Sequence, residues 1–225
     1  MKGVVFTEFL DMVEDRFSAE MVDHIIVDSD LPSGGAYTAV GTYPHSEMVS
    51  MVVALSQRSG VAVRDLLLTF GQHLFSRFAR GYPGFFTHQT NAFDFLAGIE
   101  DVIHAEVRKL YPDAQLPRFT VEEHTPQRLI LVYDSPRHFE DLAEGLMQGC
   151  MAHFGERADL SRSALQENGV QRERFVAQAA LAAGGDLEAM QLDEASGELR
   201  SYGALVNEDY GSVDKFASET GGIAT

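Results

Sequence analysis

Residues 118–137, RFTVEEHTPQRLILVYDSPR, decide the fold, because a helical chain gives way to strands within them. Two runs there, 118–123 and 128–134, favour strands and are separated by a His-Thr-Pro turn, which is typical of a strand pair. Residues 167–178 predict one more strand pair, because Asn168-Gly169 is a favourable hairpin turn. The C-terminal part is therefore expected to hold a small antiparallel sheet.

The first half of the chain predicts helices, because apolar residues recur there every three or four positions. Helical runs begin at Val4, at Ser46 and at Val63, and a longer helix covers about 93–111. A last helix is predicted over 139–154. This order predicts an α+β fold, with an N-terminal helical lobe and a C-terminal lobe that contains a small antiparallel sheet and helices.

The charge balance narrows the range of partners. The 225 residues have a net charge of -17, which disfavours binding to nucleic acid or to an anionic membrane surface. The single cysteine, Cys150, rules out a disulfide framework within the chain and fits a cytoplasmic location. Residues beyond about 183 are acidic and lack periodicity, so we predict a domain over 1–182 and a mobile tail over 183–225.

His104 is a candidate metal ligand on the helix predicted over 93–111. At about 100° per residue, His104 falls roughly 80° from the centre of an apolar stripe on this helix. An imidazole at the rim of a buried surface is either a half-buried core histidine or a ligand, and its position alone favours the first. The stripe consists of Leu96, Ile99, Ile103, Val107 and Leu110.

Tyr133, Ser135 and Arg137 form a second candidate site. Positions i, i+2 and i+4 of a strand share one face, so a phenol, a hydroxyl and a guanidinium are expected to converge. Such a set offers donors without negative charge, which suits a carboxylate or a phosphate. The alternative is the ordinary solvent face of an edge strand, with Pro136 marking the edge.

Two other arrangements are weaker. A metal cage of His73, His88 and His104 lacks the His-x-x-x-His or Glu-x-x-His spacing of helical metal sites. Cys150 and His153 could form a nucleophile pair, but a spacing of three residues on an apolar helix does not by itself make a dyad. The sequence contains no phosphate-binding or dinucleotide-binding glycine motif.

Together these segments resemble the haem-nitric oxide/oxygen binding family, H-NOX, which includes the sensory domain of soluble guanylate cyclase. The most specific element is Tyr133-x-Ser135-x-Arg137, which begins 29 residues after His104. The resemblance covers about residues 1–180. It also includes Met1-Lys2-Gly3, GTYPH at 41–45, FGQHLF at 70–75, Ile103-His104, LYPDA at 110–114 and Pro117-Arg118-Phe119.

The resemblance implies a haem b (iron protoporphyrin IX) bound between the two lobes. His104 is then the protein ligand to the iron, which a neutral imidazole suits. Tyr133, Ser135 and Arg137 are expected to bind the two haem propionates, in agreement with a carboxylate site at this position. Pro117 is expected to press on the porphyrin and distort it.

The resemblance also bears on the choice of gas. Oxygen-binding members of the family are understood to place a tyrosine hydroxyl over the gas, nine residues beyond the first tyrosine of the propionate motif. That position is Leu142 here, and Val5, Phe9 and Leu146 are expected to complete an apolar distal side. Bound oxygen needs a donor more than nitric oxide or carbon monoxide does, so we expect nitric oxide sensing and poor oxygen binding.

No output domain is recognisable, so the family implies regulation of a histidine kinase or a cyclic-di-GMP enzyme in trans. The implied switch is a weakened bond between iron and His104, relaxation against Pro117 and rotation of the lobes. One alternative is a haem enzyme of the peroxidase or nitric oxide dioxygenase type, which an apolar distal side disfavours. Another is a haem-free interaction module. With Cys150 alone, the chain lacks the zinc-binding cysteine cluster of some members.

Overall fold

A series of helices precedes a four-stranded antiparallel sheet in the residues that the computed structural model describes, 1–87, 89–167 and 169–180. The helices before the sheet are α1 Gly3–Arg16, α2 Ala19–Asp28, α3 His45–Ser59, α4 Val63–Gly81, α5 Ala92–Ala97 and α6 Ala105–Leu110. A 3₁₀ turn, Pro83–Phe85, and a π-helix, Ile99–His104, lie among them. The remaining elements are β1 Arg118–His124, β2 Arg128–Asp134, α7 Glu140–His153, β3 Ala158–Glu167 and β4 Val170–Ala179.

This order confirms the predicted α+β fold. The predicted tail over 183–225 lies outside the described residues. Over the part of the chain that is described, no helix has both the length and the apolar character that crossing a membrane requires.

Strand β2 lies inside the sheet, whose order is β1-β2-β4-β3 with antiparallel neighbours. Its residues Leu129, Leu131 and Tyr133 are buried, because alternate side chains of a strand point to the same face. The alternative of an edge strand is therefore wrong for β2. The end of β2 pairs with the start of β1, Asp134 with Arg118.

The last strand pair is longer than predicted. Strand β3 begins at Ala158 and pairs with β4 as far as Glu167 opposite Val170. The turn falls at the predicted place, where Gly169 has a φ of 79°, a conformation that glycine adopts at little cost. The sequence pattern missed most of β3 because this edge strand is polar and shows no apolar alternation.

Two apolar clusters form the core. The first lies mainly among α1, α3 and α4, and the second lies between the sheet, α5 and α7. Residues of α7 contribute to both clusters, and Leu146 packs against both. Helix α7 is therefore shared by the helical lobe and the sheet lobe.

Glycines bring α4 and α7 into backbone contact. A Cβ atom added at Gly145 would lie 2.2 Å from the carbonyl oxygen of Leu68, and one at Gly71 would lie 2.5 Å from that of Leu142. Real Cβ atoms do not approach backbone atoms so closely, so these positions require glycine. The contact fixes α7, and with it Leu142, against α4.

Candidate haem site

The segment around His104 is not the single helix that periodicity predicts. It consists of α5, the π-helix Ile99–His104 and α6. A π-helix has i→i+5 hydrogen bonds, so a stripe drawn at the angular step of an α-helix does not hold across it. His104 is 9% exposed, whereas Leu110 of the predicted stripe is 66% exposed. The placement of His104 at the rim of a buried stripe is therefore wrong, because His104 itself is the buried residue of the π-helix.

The His104 imidazole has a carboxylate partner. Its Nδ1 lies 2.7 Å from Oε1 of Glu100, and Nη2 of Arg108 lies 3.4 Å from Oε2 of the same carboxylate. Burial lowers the pKa of His104, although Glu100 opposes this. Burial raises the pKa of Glu100, but hydrogen bonds from His104 and Arg108 bring it below its ordinary value. A neutral imidazole with Nδ1 bonded to a carboxylate offers Nε2 to a metal.

Phe119 lies beside both His104 and Tyr133 of the propionate motif. The centroid of its ring lies 6.0 Å from that of His104 and 5.4 Å from that of Tyr133. Pro117 is half-buried two residues earlier, in the loop that leads into β1. Because Arg118 pairs with Asp134, Pro117 lies at the end of the sheet where the residues after β2 begin.

Tyr133, Ser135 and Arg137 come together through a turn and not through a strand face. Strand β2 ends at Asp134, so the prediction that all three alternate along one strand is wrong. Pro136 has no N–H group and cannot continue the ladder. The Arg137 backbone N–H donates to Oγ of Ser135 over 3.3 Å.

The Tyr133 phenol completes this group. Burial raises its pKa, while hydrogen bonds to the Ser135 side chain and to the Phe139 backbone act in the opposite direction. Ser135 therefore contacts both other members of the motif. The turn brings the Tyr133 phenol close to the Ser135 hydroxyl, whereas Arg137 contacts Ser135 through its backbone N–H and its guanidinium donates to Gln115.

Two other basic groups lie near Arg137. Burial and then the charge of Arg137 lower the pKa of His45 and that of the Met1 amino group, so both groups lose positive charge more readily. Arg137 also donates from Nη2 to Oε1 of Gln115 over 2.8 Å. The Arg137 guanidinium is a fixed cation in a chain with a net charge of -17, which suits an anionic ligand. Sequence reasoning gave no role to Met1 or His45, although both lie in segments that carry the family resemblance.

The four predicted distal residues all belong to the first core cluster or pack against it. Val5 and Phe9 come from α1, and Leu142 and Leu146 come from α7. Phe9 is fully buried, and its ring meets the edge of Phe70 with centroids 5.2 Å apart. These side chains present hydrocarbon and no hydrogen-bond donor.

Glu144 is the polar residue of α7 that lies between Leu142 and Leu146 in sequence. Its buried carboxylate lies 3.0 Å from Nη2 of Arg64 and 3.2 Å from Nη1 of Arg162. Two guanidinium groups thus neutralise Glu144. The apolar character of the distal group is preserved despite a carboxylate on the same helix.

His104 and the distal group lie on different sides of the core. Ile99 and Ile103, which flank His104 in the π-helix, pack against the second cluster, whereas Val5 and Phe9 belong to the first. Leu146 packs against both. The boundary between the two clusters, where Leu146 lies, therefore adjoins both the His104 side and the distal side of the core.

The donor set fits a haem. An iron ligand with its second nitrogen bonded to a carboxylate is a common arrangement around metals. The Arg137 guanidinium and the hydroxyl groups of the 133–137 turn suit carboxylates such as the haem propionates, and the apolar group suits the face on which a diatomic gas binds.

Known haem-binding proteins are similar to this chain in sequence and in fold. Residues 2–162 match the family described as Haem-NO-binding. The chain is 43% identical to an H-NOX protein from K. algicida in the Fe(II) unliganded state, with a TM-score of 0.75 over 81% of this chain and 98% of that one. It is 28% identical to an H-NOX protein from S. oneidensis in the Fe(II)NO state, with a TM-score of 0.73 over 80% of this chain and all of that one (100%).

A variant of the T. tengcongensis H-NOX protein shares only the fold, at 18% identity and a TM-score of 0.72 over 81% of this chain and 100% of that one. No curated protein matches the chain.

H-NOX domains are haem-binding gas sensors and not enzymes, which agrees with the prediction that this chain is not an enzyme. The family match spans most of the chain, and its boundaries enclose His104 and the 133–137 turn. The chain therefore belongs to the Haem-NO-binding, or H-NOX, family.

Proposed function

We propose that this chain is a nitric oxide sensor that binds haem b through His104 and regulates a signalling partner in trans. The observation that carries the proposal is the apolar distal group, in which Leu142 occupies the position of the family's oxygen-stabilising tyrosine. Ferrous haem supplies an iron that binds diatomic gases reversibly. The residues of the chain then decide which gas is retained and what movement follows.

Each part of the site has a role in holding the haem. His104 coordinates the iron through Nε2, because Glu100 occupies Nδ1. Tyr133, Ser135 and Arg137 bind the propionates, and Arg137 supplies positive charge for them. Pro117, in the loop before β1, presses on the porphyrin.

The choice of gas follows from the missing donor in the apolar distal group. A hydrogen bond to a charged group contributes roughly 1.5–3 kcal/mol, and bound oxygen carries partial negative charge. Val5, Phe9, Leu142 and Leu146 provide no such bond, whereas nitric oxide and carbon monoxide do not depend on one. S. oneidensis H-NOX structures exist with each of these two gases, Fe(II)NO and Fe(II)CO, which supports both as ligands here.

Movement of the His104 segment has a direct route to the helical lobe. The residues after α6 contact Lys2, next to the start of α1. Nζ of Lys2 lies 3.1 Å from Oδ1 of Asp113 and 4.7 Å from the ring centroid of Tyr111. When nitric oxide releases His104, a shift of α6 is transmitted through these contacts and rotates the lobes. A histidine kinase or a cyclic-di-GMP enzyme reads that rotation.

Absorption spectroscopy of the haem-loaded chain tests the choice of gas. We expect a Soret band, a ferrous spectrum in air without a stable oxygen complex, and a new spectrum when nitric oxide is added. A stable oxygen complex would overturn the nitric oxide assignment. Absence of a Soret band would favour a haem-free module, and turnover of peroxide would favour an enzyme.

The switch is tested with His104→Gly, which removes the iron ligand and should mimic the released state. With the cognate kinase or cyclic-di-GMP enzyme, we expect the variant to produce the output of the nitric oxide complex without any gas. His124→Gly, on β1, is the control and should behave like the wild type. Output from His104→Gly equal to that of the unliganded wild type would show that the switch is wrong.

A further inference from the structure

Glu100 lies four residues before His104 and is the hydrogen-bond partner of the imidazole. We propose that Glu100 is a positioning residue that strengthens the bond between His104 and iron, and so sets how readily nitric oxide releases His104. The inference rests on the proposed role of His104 as the iron ligand. It adds a residue on which the response of the sensor depends.

The geometry supports a strong interaction. The Nδ1 to Oε1 distance of 2.7 Å is typical of a charge-assisted hydrogen bond. Both groups are largely buried: 11% of the His104 side chain and 23% of the Glu100 side chain are exposed, so water competes weakly for either group. Arg108 donates to the second oxygen of Glu100, which holds the carboxylate in place from the other side.

Both members of the pair belong to the same short element. The π-helix Ile99–His104 includes Glu100 near its start and ends at the imidazole. The backbone of one turn therefore fixes their separation, and a movement of His104 carries its partner with it. π-Helical turns occur often at functional sites, which agrees with a role beyond packing.

A carboxylate at Nδ1 has two chemical effects. It keeps the proton on Nδ1, so that Nε2 carries the lone pair for the metal. It also makes the imidazole a more basic ligand, because negative charge is drawn towards the ring. A stronger ligand resists release, so a smaller fraction of His104 leaves the iron at a given level of nitric oxide.

The neighbouring acids provide a matched control. Asp101 is adjacent to Glu100 in the π-helix but is exposed. Glu106, on α6, forms an ion pair with Lys109 instead. Asp101→Asn removes the same charge as Glu100→Gln without touching the imidazole, so the pair of variants separates the hydrogen bond from the general effect of charge.

The test uses the haem-loaded chain with Glu100→Gln, Glu100→Ala and Asp101→Asn. The readouts are the iron–histidine stretching frequency in the unliganded ferrous protein, the rate of haem transfer to excess apomyoglobin, and the fraction of the nitric oxide complex without His104 bound. For Glu100→Gln we expect a lower frequency, haem transfer about 10-fold faster, and a larger released fraction. Glu100→Ala should show a larger change, up to about 100-fold in transfer rate.

Asp101→Asn should match the wild type in all three readouts. The inference is overturned if Glu100→Gln keeps the wild-type frequency and transfer rate, or if Asp101→Asn shifts both as far. Glutamine has the shape of glutamate, so Glu100→Gln remains informative if Glu100→Ala does not fold. The wild-type spectrum tests the proposed function separately, because absence of an iron–histidine band there would refute His104 as ligand whatever the Glu100 variants do.

Discussion

On the side of α1 and α7, the candidate haem site consists of tightly packed apolar side chains; on the side of the π-helix, it consists of one imidazole and its hydrogen bonds. Phe9 is fully buried among α1, α4 and their neighbours, whereas Leu110, the last residue of α6, is mostly exposed. A packed core resists rearrangement, and a segment with few buried contacts opens at lower free energy. The difference indicates that the wall of the helical lobe is the fixed reference and the His104 segment is the part that moves.

The same contrast holds for how each side is anchored. Helix α7 is held to α4 by backbone contact at Gly71 and Gly145, and by the ion pair of Glu144 with Arg64. No residue of α6 is buried, and its neighbouring loop is held through the surface ion pair of Lys2 and Asp113. Surface ion pairs contribute little to stability, so this side can shift without unfolding the domain.

The largest expected effect comes from breaking the packed side. Phe9→Ala should lower the free energy of unfolding by about 3–5 kcal/mol, because it leaves a cavity in a closed core. Phe119→Ala, at a half-buried ring beside His104, should cost clearly less. Denaturant unfolding of both variants measures the difference, and equal losses would contradict the assignment of a rigid and a mobile side.

Leu142→Tyr keeps the packed side filled but adds a hydroxyl group to it. A hydroxyl near the gas should raise the affinity for oxygen by about 10-fold to 100-fold, which corresponds to roughly 1.5–3 kcal/mol for a hydrogen bond to a charged group. Leu142→Phe supplies the same ring without the hydroxyl and is the control. Oxygen titration of the two ferrous variants compares them, and similar affinities would show that residue 142 does not face the gas.

Gly145→Ala tests the contact between α4 and α7. Although alanine favours a helix over glycine, its Cβ would meet the Leu68 carbonyl oxygen at 2.2 Å, so the free energy of unfolding should fall by about 1–3 kcal/mol. Gly81→Ala, at the end of α4 with open space around it, should leave stability unchanged or slightly higher. Thermal unfolding measures both, and a neutral Gly145→Ala would mean that the helices can separate at little cost.

The smallest effect is expected at Arg137, the half-exposed residue of the propionate motif. Arg137→Gln should speed haem loss by about fivefold, because a partly solvated charge contributes modestly. Burial and the Arg137 charge together lower the pKa of His45, so removing the charge should raise that pKa towards its ordinary value. NMR titration of His45 in the haem-free chain measures this shift. An unchanged His45 pKa would show that the charge of Arg137 does not act on His45.

Several features could be predicted because local chemistry determines them. The apolar runs of β1 and β2, the turn at Gly169 and the period of α1 and α4 agree with the structure. The polar strand β3 was mostly missed, since nothing in its pattern distinguishes an edge strand from a loop. Such an element is recognised only by the strand it pairs with.

At the site, residue identity could be predicted more accurately than geometry. Tyr133 and Ser135 lie close together and the Arg137 backbone contacts Ser135, but Pro136 ends the ladder and these contacts form through a turn. The apolar stripe from which the burial of His104 was predicted assumes α-helical spacing. The π-helix does not keep that spacing. The role of Glu100 could not be predicted for a related reason. Glu100 precedes His104 by four residues, whereas the Glu-x-x-His pattern of helical metal sites has a spacing of three.

The π-helix also determines which changes in chain length this region tolerates. A π-turn holds one residue more than the corresponding α-helical turn, so deleting one residue between Gly98 and His104 would allow an ordinary α-helix to form. Each residue of an α-helix advances the chain by about 100°, and the π-turn takes up its extra residue within one turn, so α6 would keep nearly its present direction after such a deletion. A deletion among residues 101–103 would nevertheless place Glu100 three residues before the imidazole instead of four, which changes the geometry of its hydrogen bond to Nδ1. A deletion in the loop after β1 would leave this spacing unchanged. The four-residue spacing of Glu100 and His104 is thus expected to tolerate neither insertion nor deletion.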